Sequence, residues 1–145
     1  MAGTDNEPTA EALALGEELR RVVGGFVRSV RRQADTPSSA QSETLALLDR
    51  QGPMSVAALA AERRVKHQSM RLVVAQLEEG GLVTRLPNPE DGRSHLLALS
   101  DKGRAALERS RAARRLEIAA LIGARLTGEE RRLLRAAIGL IEKLS

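Results

Sequence analysis

The sequence predicts a mainly α-helical protein whose helices are interrupted once by a small β-hairpin. Over most of the 145 residues, apolar side chains recur at steps of three and four, which is the period of an amphipathic helix. Near residues 82–99 this period gives way to two short β-type runs around a segment rich in Pro, Asn, Asp and Gly, which favours a turn. The length is typical of one domain.

Two helices are predicted in the first third of the chain. A polar, acidic tail at residues 1–9 lacks periodicity, and a long amphipathic helix follows from Ala10 to Ala34. Ser38 and Gln41 have the spacing of a capping box, which predicts that a second helix begins there and continues to about Arg50.

A helix-turn-helix and a hairpin occupy the middle of the chain. Ser55 is placed to cap a short helix from Val56 to Arg63, and a further helix is predicted from Lys66 to Glu79. Two such helices joined by a few residues form a helix-turn-helix. The strands Leu82–Leu86 and His95–Leu99 then form a hairpin with a long, charged tip. The predicted fold class is therefore mainly α with a small β-hairpin wing, a winged helix-turn-helix.

Two long apolar helices end the chain. Ser100 caps one that continues to about Ala124, and Thr127 with Glu130 forms a capping box that opens the last helix, which ends at Leu144. The terminal helices carry more apolar surface than a single helix-turn-helix core can cover, so we expect a helical dimer interface. The residues predicted for it are Leu15, Leu19, Val22, Phe26, Leu134, Ile138, Ile141 and Leu144.

Charge and composition narrow the class of partner. The chain has 23 Lys and Arg against 19 Asp and Glu, and only three of the basic residues are lysines. A basic balance favours an anionic partner, with nucleic acid ahead of a membrane surface. No apolar run approaches the roughly 18 residues that indicate a membrane span, and the N-terminus does not resemble a signal peptide. We therefore expect a cytoplasmic protein that does not associate with membranes.

The same composition excludes several kinds of chemistry. The absence of Cys excludes thiolate catalysis, Cys-based zinc sites and thiol redox sensing by this chain. The absence of Trp and Tyr argues against stacking platforms for single-stranded nucleic acid. No Gly-rich phosphate loop, nucleophile elbow or pair of catalytic carboxylates can be assembled. We expect neither enzyme activity nor a metal or cofactor.

Three stretches carry a resemblance to a known family. They are residues 59–71 (LAAERRVKHQSMR), residues 77–85 (LEEGGLVTR), and residues 89–94 (PEDGRS) followed by residues 99–103 (LSDKG). Together they resemble the MarR family of winged-helix bacterial transcription regulators, over roughly residues 10–144. The resemblance implies a homodimer on double-stranded DNA. It assigns residues 37–103 to the DNA-binding lobe, and residues 10–36 and 104–145 to the dimerisation region.

The resemblance also implies which side chains contact DNA. The helix that starts at Lys66 would enter the major groove, where Gln pairs with adenine and Arg with guanine. At the hairpin tip Arg93 would enter the minor groove, oriented by Asp91, and Arg85 would contact phosphate, with Arg63 and Arg64 as weaker candidates. The complete set is Lys66, His67, Gln68, Ser69, Arg71, Arg85, Asp91, Arg93 and Ser94. The alternatives are a merely solvated helix face and a surface ion pair.

Some features depart from the family pattern and leave alternatives open. Lys66 stands where the family commonly has a Ser or Thr cap, and Leu72 and Ala75 occupy outward positions that are often polar. Leu72 either contacts a thymine methyl group or is an unused outward site. Without Tyr or Trp, an effector pocket would take a small apolar ligand, for which the sequence offers no specific support. The function expected is a sequence-specific repressor, and the alternative is a winged-helix module for protein–protein interaction.

Overall fold

The computed structural model describes residues 7–34, 36 and 39–145, and this part of the chain forms six helices and one two-stranded antiparallel sheet. The predicted class, a mainly α protein with a single hairpin, is confirmed. The elements are α1 (Ala10–Gln33), α2 (Ser39–Gln51), α3 (Val56–Glu62), α4 (His67–Glu79), β1 (Val83–Pro87), β2 (His95–Leu99), α5 (Asp101–Arg125) and α6 (Gly128–Glu142).

Side-chain caps begin several helices where the sequence predicts them. The hydroxyls of Ser55 and Ser100 each accept a hydrogen bond from a backbone N–H in the first turn of α3 and α5. Thr127 and Glu130 form the predicted capping box of α6. Caps of this kind stabilise a helix by about 1 kcal/mol because they satisfy N–H groups that lack a partner within the helix. The capping box predicted at Ser38 involves a residue outside the described part of the chain.

The sheet differs from the prediction in two details. Strand β1 begins one residue later than expected, and it pairs with β2 from Val83 opposite Leu99 to Pro87 opposite His95. Met54, just before α3, also pairs with Leu97 through two backbone hydrogen bonds of 3.0 and 2.7 Å. This bridge was not predicted, and it fixes the hairpin to the start of the helix-turn-helix.

One core lies beneath α4 and the hairpin. The helical spacing predicts a buried face of Met70, Val73, Val74 and Leu77 on α4; Met70, Val74 and Leu77 are buried, and Val73 is partly buried. They belong to a cluster that draws on α2, α3, both strands and the start of α5, and that also contains Leu45, Leu47, Leu48, Leu59, Ala60, Val83, Leu97, Leu99 and Leu107. One face of α4 therefore packs on the core, and the opposite face is exposed.

The terminal helices contribute little to this core. Val30 is the one buried residue of α1, and α6 has no buried residue. Apolar side chains predicted to form a dimer interface are open to solvent in the single chain; Phe26, for example, is 45% exposed and Ile138 is 49% exposed. No helix in the described residues is both long enough and apolar enough to cross a membrane.

The start of α5 lies against the backbone at the start of β1. A Cβ atom on Gly103 would collide with the carbonyl oxygen of Leu82 and would lie 3.0 Å from its carbonyl carbon. Ser100 locks the same junction, because its backbone N–H donates to the Leu82 carbonyl at 3.1 Å and its hydroxyl donates to the Gly81 carbonyl at 2.6 Å. The Leu-Ser-x-x-Gly pattern is therefore explained by close packing of backbone on backbone.

We predict that Gly103→Ala destabilises the protein while Gly123→Ala, in the same helix, does not. The first change forces a methyl group into a backbone carbonyl, and overpacking of this kind typically costs about 1–3 kcal/mol. A Cβ at Gly123 meets no atom within 4 Å, so that change adds only helix propensity. Thermal unfolding at one protein concentration gives the comparison, and equal melting temperatures for the two variants would contradict the packing argument.

Candidate nucleic-acid interface

The turn between α3 and α4 sets the direction in which α4 projects. Arg64 adopts a left-handed backbone conformation with φ of 53°, and the N–H of Val65 donates to the carbonyl of Ala60 at 3.0 Å. Lys66 is the N-cap of α4, and its side chain makes no capping hydrogen bond. The first turn of α4 thus keeps N–H groups without a side-chain acceptor.

The outward face of α4 is exposed, as predicted. Gln68, Arg71, Leu72 and Ala75 all lie on the side opposite the buried residues. Lys66, His67 and Ser69 at the start of the helix are exposed as well. Across the described residues, no hydrogen bond or ion pair engages the side chains of Gln68 or Arg71, so their donors are available to a ligand.

The hairpin tip is an ordered turn that its own polar side chains hold. The sequence predicts that Asp91 orients the guanidinium of Arg93, whereas in the structure its carboxylate accepts from the backbone N–H of Arg93 at 3.0 Å. Asn88 donates from its side-chain amide to Ser94 Oγ at 2.9 Å, across the base of the same turn. Asp91 therefore shapes the loop, and the exposed guanidinium of Arg93 has no partner among the described residues.

A groove of about 610 Å³ separates α4 from the wing. Six of the predicted site residues line it together: His67 and Arg71 from α4, Asp91, Arg93 and Ser94 from the wing tip, and Arg85 at the wing base. Gln68 lies outside this groove, on a shallower depression with Leu72 and Ala75. Lys66 and Ser69 line neither surface.

Sequence reasoning missed several residues of this groove. Asn88, His95 and the segment 55–57 at the start of α3 also line it. The sequence indicates only that Asn88 belongs to a turn. Its spacing from Ser94 is compatible with the side-chain hydrogen bond that closes this turn. His95 is the first residue of β2, where it pairs with Pro87. Segment 55–57 carries no sequence signal for a place in this groove, since long-range contacts such as the Met54–Leu97 bridge bring it to the wing.

Arg85 is held by an acid on α4. Its Nε and Nη2 atoms donate to the two carboxylate oxygens of Glu78 at 2.9 and 2.8 Å. These hydrogen bonds lower the pKa of Glu78 and raise that of Arg85, and partial burial opposes both shifts. The pair ties the wing base to the end of α4, a role that the sequence did not assign to Arg85.

Arg63, a weaker candidate for phosphate contact, is instead an internal residue. Its guanidinium donates to the carbonyl of Ala40 and to Thr44 Oγ1, both at 3.0 Å, and it forms an ion pair with Glu43. The side chain is only 16% exposed, so its donors are directed into the protein. An acceptor set on α2 therefore engages Arg63, which does not favour the phosphate role expected for it.

Arginines of the basic run in α5 also have internal partners. The sequence favours a solvated face for Arg109, Arg111, Arg114 and Arg115, but Arg111 pairs with Asp49 of α2 at 3.1 Å. Arg114 is half-buried, and its desolvation, together with the positive charges of Arg31 and Arg111, lowers its pKa. Four arginines, Arg31, Arg111, Arg114 and Arg115, line a cavity of about 350 Å³ between α1 and α5, whose apolar walls are Phe26, Val27, Val30 and Ile118.

These features define a class of protein. A helix-turn-helix with an exposed second helix, a wing beside it and free donors on both sides of the intervening groove is the arrangement of a winged helix-turn-helix DNA-binding protein. Among the described residues, no group of three or more His, Cys, Asp or Glu side chains could hold a metal ion.

Comparisons with known proteins identify the family. The model of the MarR family matches residues 36–94. An HTH-type transcriptional regulator of Mycobacterium tuberculosis is 36% identical over 129 residues, which are 88% of this chain and 90% of that protein. A crystal structure from Pseudomonas aeruginosa, described as a transcriptional regulator, superposes with a TM-score of 0.81 at 32% identity, covering 94% of this chain and 97% of that one.

The fold is shared more widely than the sequence. A crystal structure of a mutant of Escherichia coli MarR superposes with a TM-score of 0.70 at 20% identity, covering 94% of this chain and 98% of that one. The chain belongs to the MarR family, as the sequence motifs indicate. It is therefore a transcriptional regulator of the helix-turn-helix type, and proteins of this family are not enzymes.

We predict that the Arg85–Glu78 pair contributes to stability in a pH-dependent way. Because the folded state lowers the pKa of Glu78, the contribution is fully present above the ordinary Glu pKa of about 4.3. It is lost as the pH falls through the lower pKa of the folded state. Partly exposed pairs are worth about 0.2–1 kcal/mol, so Glu78→Gln should cost that much at pH 7 and little at pH 3.

Urea denaturation of wild type, Glu78→Gln, Arg85→Gln and the double variant at both pH values measures the coupling as a double-mutant cycle. A coupling energy of the same size at pH 7 and pH 3 would show that the carboxylate charge is not involved.

Proposed function

We propose that this chain is a homodimeric, sequence-specific repressor that binds a pseudo-palindromic site on double-stranded DNA in the cytoplasm. The observation that carries the proposal is the position of the unengaged donors. Arg71 on α4 and Arg93 on the wing tip line the same groove from opposite sides, and each guanidinium lacks an internal partner among the described residues. Such a groove suits a phosphate backbone, with α4 in the major groove on one side and the wing in the minor groove on the other.

In this proposal α4 reads bases in the major groove. Gln68 would pair with an adenine and Arg71 with a guanine through bidentate hydrogen bonds, each worth about 1–3 kcal/mol of discrimination. The geometry supports this assignment because both side chains lie near the N-terminal end of the helix, the part that approaches base edges in helix-turn-helix proteins. Lys66, His67 and Ser69 flank them and would contact phosphates.

The wing tip would place Arg93 in the minor groove, where A·T-rich sequence has a narrow, strongly negative groove that attracts arginine. Asp91 and Ser94 would hold the turn in the shape that directs it, through the backbone bonds seen at the tip.

The terminal helices support a homodimer. Their exposed apolar side chains form stripes on α1 and α6, and a two-fold interface would bury both stripes at once. Two copies of α4 would then meet DNA in half-sites about 10 bp apart, or a multiple of that spacing. A dimer seated across one or more turns of a promoter excludes polymerase from it, which is why we propose repression.

A small effector stays a prediction. The cavity between α1 and α5 has the apolar walls that a small apolar ligand needs, and Arg31, Arg111, Arg114 and Arg115 complete its lining.

Selection of bound fragments from sheared genomic DNA tests the function and the operator together. We expect a recurrent two-fold-symmetric site that binds at least about 10³-fold more tightly than bulk DNA. Sedimentation should give the mass of two chains bound to one site. The affinity should fall with salt along a log–log slope of about −4 or steeper, since each neutralised phosphate contributes about −0.9. The rival, a protein-interaction module, predicts no fragment preferred over bulk DNA and no such slope.

We predict that Arg93→Ala weakens operator binding about tenfold or more, because the dimer loses a charged minor-groove contact at each wing. The thermal unfolding midpoint should stay the same, since the guanidinium engages no other described side chain. Fluorescence anisotropy with a labelled operator measures the affinity.

Arg132→Ala is the matched control for this variant. It removes the same charge from an exposed position on α6, so it reports only the general electrostatic effect. Equal losses for both variants would contradict a minor-groove contact by Arg93.

A further inference from the structure

Leu72 is a large apolar side chain in the middle of the exposed face of α4, and the residues that precede it on this face are hydrogen-bond donors. It is 66% exposed, and no residue of the core covers it. Gln68, Leu72 and Ala75 follow one another at steps of four and three, so they form one stripe along α4, and together with Arg71 and His67 they line one shallow depression. The stripe changes from polar at the N-terminal end of the helix to apolar one turn later.

Neither folding nor dimerisation explains an exposed leucine at this position. The core uses the opposite face of α4, through Met70 and Leu77, and the apolar stripes of the dimer proposal lie on α1 and α6. The depression around Leu72 is flanked by basic and amide side chains, which suit a polyanion rather than another protein's apolar face. The occupant is therefore the same DNA that the proposed function places on α4.

The major groove offers an apolar side chain one kind of base-edge partner. Base edges there are hydrogen-bond donors and acceptors, except for the C5-methyl group of thymine. A leucine that faces base edges without a methyl group would desolvate polar atoms without forming a compensating contact. A leucine that faces thymine buries two apolar groups against each other.

The spacing within the stripe sets where that thymine lies. Side chains four residues apart on a helix are about 6 Å apart at their Cβ atoms, and successive base pairs are about 3.4 Å apart. We infer that Leu72, with the methyl group of Ala75 beside it, recognises the C5-methyl group of a thymine within about two base pairs of the base read by Gln68, once in each half-site. This inference rests on the proposed function and adds the base that its apolar position selects.

Replacing single thymines by deoxyuridine tests the contact, because this change removes the methyl group and leaves the Watson–Crick pairing intact. In the selected operator, we expect one position per half-site where the replacement weakens wild-type binding about fourfold, as expected for losing the burial of one methyl-sized group. At the same position, 5-methylcytosine should bind more tightly than cytosine. The readout is the ratio of affinities for the two DNAs, measured by anisotropy.

Three variants assign the effect to Leu72. In Leu72→Ala the affinity ratio at that position should fall to near one, while Leu72→Met, which keeps an apolar side chain, should retain most of it. Leu133→Ala is the matched control, since Leu133 is also 66% exposed but lies on α6, and it should leave the ratio unchanged. Because the readout is a ratio for one protein, changes in folding or dimerisation cancel.

The outcomes separate the two proposals. If no duplex is preferred over bulk DNA, the proposed function fails and the thymine contact fails with it. If a specific operator is found but no uracil replacement changes the affinity, or the effect persists in Leu72→Ala, the contact is overturned and the proposed function stands. Loss of the uracil effect in Leu72→Ala alone supports the contact.

Discussion

The fold depends on one place where backbone packs directly on backbone, the contact between Gly103 and Leu82. The end of α4, the start of β1, the end of β2 and the start of α5 all meet there, and the hydroxyl of Ser100 joins them by accepting from α5 and donating to the carbonyl of Gly81. A side chain at Gly103 would push these elements apart. Because α4 ends at this junction, and the wing and α5 start from it, the directions of these three elements are fixed relative to one another.

A second set of links joins the terminal helices to the turn of the helix-turn-helix. Glu43 on α2 forms ion pairs with Arg31 of α1 and with Arg63 of the turn, and Asp49 on the same helix pairs with Arg111 of α5. Through these ion pairs on α2, a change in the angle between α1 and α5 would therefore shift the turn that precedes α4. In a two-fold dimer such a change alters the distance between the two copies of α4, which is the quantity that must match the DNA repeat.

Local patterns predicted the elements well, and long-range contacts explain what they missed. Periodicity, caps and turn residues placed all six helices and both strands to within one or two residues, because each signal acts over a few positions. Local patterns could not predict the ion pairs of Arg63 and Arg111, because their acids lie 20 and 62 residues away in sequence. The partner of Asp91 was predicted wrongly although it lies only two residues away. Arg93 offers both its guanidinium and its backbone N–H as donors, and a tight turn presents the backbone N–H to the carboxylate. The sequence motif that contains Gly103 was recognised, but the reason for the glycine, its close contact with the backbone of Leu82, is visible only in the structure.

Because several arginines form ion pairs within the fold, net charge is a weak guide to a binding surface. The chain has 20 arginines and a net charge of only +4, and several of them are occupied by acids within the fold. Arg85 is intermediate. Glu78 takes two of its five N–H donors and leaves three, so the ion pair fixes the direction of the guanidinium without using it up. A phosphate contact proposed for Arg85 would therefore use a cation that is already oriented, and such a contact loses less side-chain entropy on binding than one from a freely rotating arginine.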